Sequence, residues 1–112
     1  MNARLRKQIE TRDLYCWHCG SVDELVIHHR KNRQMGGSKL LDRVDNLIRV
    51  CPAYNFAMES DPVTATQARE FGHKLESWRD FSEPVFDLYA GLWFNLTTDG
   101  KREQTNPPSW LI

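Results

Sequence analysis

Two adjacent histidines, His28 and His29, are the residues of this 112-residue chain best suited to catalysis. They follow the apolar run Leu25-Val26-Ile27, which is typical of a short β-strand. Imidazole has an ordinary pKa of about 6.5, so a histidine can act as a general base or a metal ligand near neutral pH. Because neighbouring strand residues point to opposite faces, an ordinary pair with one buried and one exposed histidine is the alternative.

Cysteines indicate a second kind of chemistry. Cys16 and Cys19 have the C-x-x-C spacing of a knuckle that closes at Gly20, and Cys51 lies far downstream. Three cysteines are an odd number, and this spacing suits a reduced protein better than a disulfide framework. We therefore expect a cytoplasmic protein, and no apolar run is long enough to predict a membrane span or a signal peptide.

The elements that must position these residues are short. We predict helices over residues 3–13, 53–60 and 64–78 and strands over residues 25–28 and 47–50. Strand-like residues at 85–86 and 92–94, followed by the turn dipeptide Asp99-Gly100, predict a C-terminal β-hairpin. The polar stretch between the first two strands, residues 30–45, contains Gly36-Gly37. Loops longer than about 12 residues in a compact domain are usually functional.

An ordered series of motifs resembles a known family. The motifs are Cys16-x-x-Cys19, Leu25-Val26-Ile27-His28-His29, Gly36-Gly37, Asp45-Asn46-Leu47-Ile48 and Cys51-x-x-Tyr54-Asn55. This series is similar to the HNH (ββα-metal) endonucleases, particularly the small phage-type members. The resemblance covers residues 14–61, about half of the chain.

The resemblance implies the fold. It predicts a single small α+β domain with a ββα-metal core over residues 14–61. A basic N-terminal helix over residues 1–13 precedes this core, and a helix and a β-hairpin over residues 62–112 extend it.

The resemblance also implies roles for individual residues. His28 takes the place of the first metal ligand and His29 that of the general base. Asn46 matches the central asparagine, which ties the two strands and the loop together in the family. Asn55 stands where the last histidine usually lies, so this is an H-N-N version of the motif. Glu59 lies one helical turn beyond Asn55, either as a third metal ligand or as an ordinary surface charge.

The implied cofactor is one divalent metal ion. An amide oxygen suits Mg²⁺ or Mn²⁺, whereas imidazole suits softer ions, so Ni²⁺ and Zn²⁺ remain alternatives. Many family members also hold a structural zinc ion between two C-x-x-C pairs. Here Tyr54 replaces the last thiolate, so Cys16, Cys19 and Cys51 either bind zinc with help from His18 or form a metal-free knuckle, which we favour.

The charge distribution is consistent with DNA as the partner. The net charge is +0, but residues 1–50 carry +4 and residues 51–112 carry −4. The basic residues expected to contact DNA, with the helix residues Arg4, Arg6 and Lys7 as an extension, are Arg30, Lys31, Arg33, Lys39, Arg43 and Arg49. Arg30 is assigned to the scissile phosphate, and a solvated charged loop is the alternative for the group.

The predicted function is therefore metal-dependent hydrolysis of DNA phosphodiester bonds, by nicking or by double-strand cleavage. An HNH-fold DNA-binding module without activity and a zinc-stabilised interaction domain are the alternatives. We expect a monomer or a homodimer, because one active site either nicks one strand or needs a second copy to cut both.

Overall fold

Capping residues and prolines mark where the longer helices of this protein begin. The computed structural model describes residues 1–32 and 38–111. Its α-helices are α1 (Ala3–Arg12), α2 (Ser38–Leu41), α3 (Pro52–Ser60) and α4 (Pro62–Glu70). Asn2, Cys51 and Asp61 cap α1, α3 and α4 with side-chain atoms that accept backbone N–H groups. A proline at the first helical position follows two of these caps, where its missing N–H costs nothing.

Two short strands, β1 (Val26–His29) and β2 (Leu47–Val50), form an antiparallel pair. The register places His28 opposite Ile48 and His29 opposite Leu47. Successive side chains of β1 face opposite sides, so His28 is buried while its neighbour is partly exposed. Because α3 follows β2 directly and contacts β1, the two strands and the helix make a ββα unit.

The C-terminal extension contains a second antiparallel sheet, in the order β3 (Val85–Asp87), β4 (Leu92–Leu96), β5 (Arg102–Thr105). The α+β fold class is thus confirmed, but the predicted hairpin is a three-stranded sheet. The third strand has the sequence Arg-Glu-Gln-Thr and pairs only with β4 among the described strands. An edge strand with polar side chains on both faces carries no apolar alternation by which it could be predicted.

The predicted helix over residues 64–78 is wrong at its C-terminal end. The helix stops at Glu70, and Gly72 adopts a φ of +73°, which side chains other than glycine rarely allow. A Cβ atom at this glycine would lie 2.1 Å from the carbonyl oxygen of Pro84. The chain therefore turns here and passes close against the start of β3, and Leu75 is buried in a loop instead of a helical stripe.

One apolar cluster joins the ββα unit to the extension. Trp17, Ile48 and Met58 pack in the same buried cluster as Val85 and Leu96 of the second sheet. A smaller cluster around Ile9 and Leu47 holds α1 against the first sheet. The two parts of the chain thus share a core, and burial of this shared surface stabilises both. No helix within residues 1–32 and 38–111 is long and apolar enough to cross a bilayer.

Candidate functional site

The ββα unit and α1 enclose an open cleft of about 680 Å³, which we call the histidine cleft. Among the residues that line it are Arg6, His28, His29, Arg49, Asn55 and Glu59. These residues come from α1, β1, β2 and α3, so pairing of the strands and docking of the helices bring them together. Four of them are the sequence-predicted general base and metal ligands.

His28 is held in one orientation. Its Nε2 lies 2.9 Å from the backbone carbonyl oxygen of His73. Because a carbonyl only accepts, Nε2 carries the hydrogen of the neutral ring and Nδ1 keeps the lone pair. Burial lowers the pKa of His28 to about 4, so the ring is neutral at physiological pH. A neutral imidazole with a fixed tautomer is the form that binds a metal ion.

Asn55 and Glu59 lie one turn apart on α3 and face the same cleft as His28. One imidazole nitrogen, one amide oxygen and one carboxylate form a donor set that suits a divalent cation. Glu59 is half exposed, and one of its carboxylate oxygens lies 3.2 Å from the Nζ of Lys74. A bound cation would therefore compete with this ammonium group for the carboxylate.

His29 pairs with a residue that the sequence did not single out. Its Nε2 lies 2.8 Å from Oδ1 of Asp42, and both side chains are about 85% buried (14% and 15% exposed). The hydrogen bond from His29 lowers the pKa of Asp42, so this carboxylate is ionised at neutral pH. An isolated aspartate in a polar loop has no periodicity or motif that would have pointed to it.

Asn46 is completely buried and connects the two ends of the loop between the strands. Its Oδ1 accepts the backbone N–H of Lys31 at 2.8 Å, and its Nδ2 donates to the carbonyl of Leu41 at 2.9 Å. Its own carbonyl oxygen accepts the N–H of Arg30. These bonds hold the segment after His29 against the segment that carries Asp42.

The assignment of Arg30 to the scissile phosphate is wrong. Its side chain is buried, with the residue only 1% exposed, and its guanidinium donates to the backbone carbonyls of Gly72, Asp45, Phe81 and Glu83. Desolvation in this position lowers the pKa of Arg30 to about 9. A planar group with five donors suits a cluster of carbonyls, and here it connects the ββα unit to the extension.

The other basic residues have varied positions. Arg49 lines the histidine cleft and donates from one guanidinium nitrogen to the carbonyl of Asp13 at 2.9 Å. Lys31 and Arg43 both lie 4.2 Å from the centre of the Phe81 ring, and the Arg43 guanidinium also pairs with the Asp45 carboxylate. The remaining predicted features, Arg33, Gly36-Gly37 and the side chain of Lys39, lie outside the described residues.

The three cysteines form a cluster beside the core. The Sγ atoms of Cys16, Cys19 and Cys51 all lie within 4.8 Å of one another, so they could bind a metal ion. The Sγ of Cys16 accepts the backbone N–H groups of His18 at 3.3 Å and of Cys51 at 3.2 Å. Burial nevertheless raises the pKa of the Cys16 thiol to about 11. The donor set suits a soft thiophilic ion.

The fourth position of this cluster has no thiolate, and His18 is not part of the described cluster. The His18 ring instead stacks on Tyr54 with the ring centres 3.9 Å apart. The Tyr54 hydroxyl donates to Nδ1 of His73 at 2.6 Å, and Nε2 of His73 donates to the carbonyl of Phe86. Tyr54 is therefore a buried hydrogen-bond donor toward the extension.

His73 is a second residue that sequence reasoning missed. Its carbonyl oxygen orients His28, while its ring links Tyr54 to β3. The only local signal is its position directly after Gly72, where the chain turns. This signal predicts a turn but says nothing about the histidine that the turn approaches.

Comparison of the chain with protein-family models, with curated proteins and with solved structures finds no match. The functional interpretation therefore depends on the histidine cleft and its residues.

Proposed function

We propose that this protein is a metal-dependent DNA endonuclease of the HNH (ββα-metal) type. The observation that carries the proposal is the shared location of His28, His29, Asn55 and Glu59 in one open cleft on a ββα unit. Two adjacent histidines on a strand would normally serve opposite faces. Here both residues are among those that line the cleft, His28 buried and His29 partly exposed.

The residues suggest how hydrolysis would proceed. His28, Asn55 and Glu59 would hold the divalent cation, Mg²⁺ or Mn²⁺ on the oxygen donors, with Ni²⁺ and Zn²⁺ as alternatives. When bound, such a cation acts as a Lewis acid and a template for the phosphate group. His29 would take the proton of a water molecule as the water oxygen attacks phosphorus, and the bond from phosphorus to the 3′ oxygen would break.

Arg49 and Arg6 are the basic residues of the cleft, and they replace Arg30 as the expected phosphate contacts. The chain as a whole has a net charge of +0, so DNA binding should be weak and strongly dependent on salt.

A DNA-binding module without cleavage activity is the second candidate. The ion pair between Lys74 and Glu59 favours it, because an ammonium group 3.2 Å from the carboxylate opposes a bound cation. The replacement of the last histidine of the motif by Asn55 favours it as well, since an amide is a weaker ligand than an imidazole.

One experiment tests both candidates. Supercoiled plasmid is incubated with the purified protein and Mg²⁺, Mn²⁺, Ni²⁺ or Zn²⁺, with EDTA as a blank. We expect cleavage by the wild type and a loss of about 100-fold or more in His29→Ala, the size of a general-base contribution. His18→Ala is the matched control, because this histidine stacks on Tyr54 outside the residues named for the cleft.

The outcomes separate the hypotheses. Cleavage in EDTA, or equal cleavage by wild type, His28→Ala and His29→Ala, would show that the site is misassigned. No cleavage with any ion but a retained gel shift would support the DNA-binding module. Circular dichroism of each variant checks that the fold is intact.

A further inference from the structure

We propose that Asp42 is a positioning residue for His29, which it holds in the tautomer and orientation that a general base needs. This inference rests on the proposed function, because it assigns a partner to the base of that reaction. The contact itself is the 2.8 Å approach of Asp42 Oδ1 to His29 Nε2.

The chemistry of the pair determines where the hydrogen lies. An ionised carboxylate only accepts, so the hydrogen shared with His29 must be on Nε2. The neutral ring then carries its lone pair on Nδ1, and only Nδ1 can take a proton from water. A nearby carboxylate also stabilises the imidazolium that forms when the base has accepted its proton.

The surrounding structure holds Asp42 in place. Nδ2 of Asn46 donates to the carbonyl of Leu41, the residue immediately before Asp42. The N–H of Arg43, the residue immediately after, donates to the same carbonyl at 3.0 Å. Asp42 Oδ2 lies 3.4 Å from the amino group of Met1, so both carboxylate oxygens have a positively charged or hydrogen-donating neighbour. The side chain is thus restrained from both flanking residues and at both oxygens.

The pairing also explains a geometric role for Asn46. Its side chain joins Lys31, which lies 15 positions before it in the chain, to Leu41, the residue next to the carboxylate. Asn46 and Asp42 therefore act on His29 from the backbone and from the side chain, respectively. Neither of them has to touch the substrate.

The test uses Asp42→Asn, which keeps the shape of the side chain. The amide can donate its own N–H to Nε2 of His29, which favours the tautomer that carries its hydrogen on Nδ1. In that tautomer Nδ1 has no lone pair and cannot take a proton from water. We expect long-range ¹H–¹⁵N correlation spectra at pH 8 to show hydrogen on Nε2 of His29 in the wild type and a shift toward Nδ1 in Asp42→Asn. In plasmid cleavage we expect kcat to fall about 100-fold or more, as when a base loses its orienting carboxylate, with KM changed less than about threefold.

Asp45→Asn is the matched control. This carboxylate lies three residues further along, is buried and pairs with Arg43 instead of a histidine. We expect this variant to leave the His29 tautomer unchanged and to alter kcat less than about threefold. Asp42→Glu, which restores a carboxylate, should recover part of the lost rate.

The results distinguish this inference from the proposed function. If the wild type cleaves and Asp42→Asn cleaves equally well with hydrogen still on Nε2, the positioning role is refuted and the nuclease proposal stands. If the wild type does not cleave under any metal condition, the proposed function fails, and with it the catalytic role of Asp42. A loss of rate in Asp42→Asn without any change of tautomer would also overturn the inference, because it would indicate a purely structural effect.

Discussion

Arg30→Lys tests the reassignment of Arg30 from a DNA contact to a buried anchor. The substitution keeps a positive charge but removes the planar fork that donates to four carbonyls in three different parts of the chain. If Arg30 bound a phosphate, this change would weaken DNA binding and leave stability almost intact. If it is an anchor, stability must fall.

The magnitude follows from the hydrogen bonds. The Arg30 guanidinium donates at 2.8 Å to Gly72, 2.9 Å to Asp45, 3.1 Å to Phe81 and 2.6 Å to Glu83. Each hydrogen bond from a charged donor is worth about 1.5–3 kcal/mol. A compact ammonium group cannot reach all four oxygens, so we expect at least two to lose their donor. The loss is then about 3–6 kcal/mol, a large part of the roughly 5–15 kcal/mol that stabilises a domain.

Urea denaturation followed by tryptophan fluorescence measures the effect. With a slope of about 2 kcal/mol per molar urea, the midpoint should fall by roughly 1.5–3 M. Arg43→Lys is the matched control, since the Arg43 side chain is 46% exposed and lysine keeps the positive charge that pairs with the buried Asp45. We expect this change to cost about 1 kcal/mol or less.

The reasoning would be refuted if Arg30→Lys shifted the midpoint no more than Arg43→Lys does. A loss of DNA affinity without a loss of stability would go further and restore the assignment of Arg30 to the phosphate.

Three other measurements test separate features of the structure. Gly72→Ala should lower the free energy of unfolding by about 3 kcal/mol or more in urea denaturation, because this position combines a left-handed φ with a close backbone contact. Gly91→Ala, at a similar φ but with open space around it, should lower it by only about 1–2 kcal/mol. Equal losses in the two variants would contradict the close approach at Gly72. Burial lowers the pKa of His73 to about 3, so the folded state keeps this ring neutral while the unfolded chain protonates it below about pH 6.5. His73 alone should therefore contribute a loss of about 1.4 kcal/mol per pH unit below 6.5, or about 2 kcal/mol by pH 5, and the buried His28, whose pKa is also lowered, should contribute a comparable loss. A constant unfolding free energy from about pH 7.5 to 5 would contradict a neutral His73. Brief labelling with iodoacetamide and mass spectrometry should find Cys19 modified first, because it is exposed and backbone hydrogen bonding lowers its pKa, while burial protects Cys16; preferential labelling of Cys16 would be inconsistent with the cluster.

Local signals predicted much of the secondary structure. The strand over residues 47–50 and the helix that starts at Pro52 are where the sequence places them, because β-branched runs and a proline after a capping residue act over a few residues. The helix over residues 64–78 and the strand β5 were not predicted correctly. The helix ends early because the chain must turn at Gly72 to pass close to the carbonyl of Pro84, which is distant in the sequence. The polar segment of β5 is a strand because it pairs with β4.

The sequence by itself determined which residue types are available at the candidate site and in which order they occur. Only the tertiary structure decided their environments. It buried Arg30 against carbonyls from three segments, paired His29 with Asp42 and oriented His28 with the carbonyl of His73. The physical reason is that charge and polarity are properties of a residue, whereas burial and hydrogen-bond partners depend on atoms far away in the chain, as in the 53 positions between Arg30 and Glu83. Arg30 and Lys31 are neighbouring basic residues, and only the folded structure shows that the first is buried while the second is partly exposed.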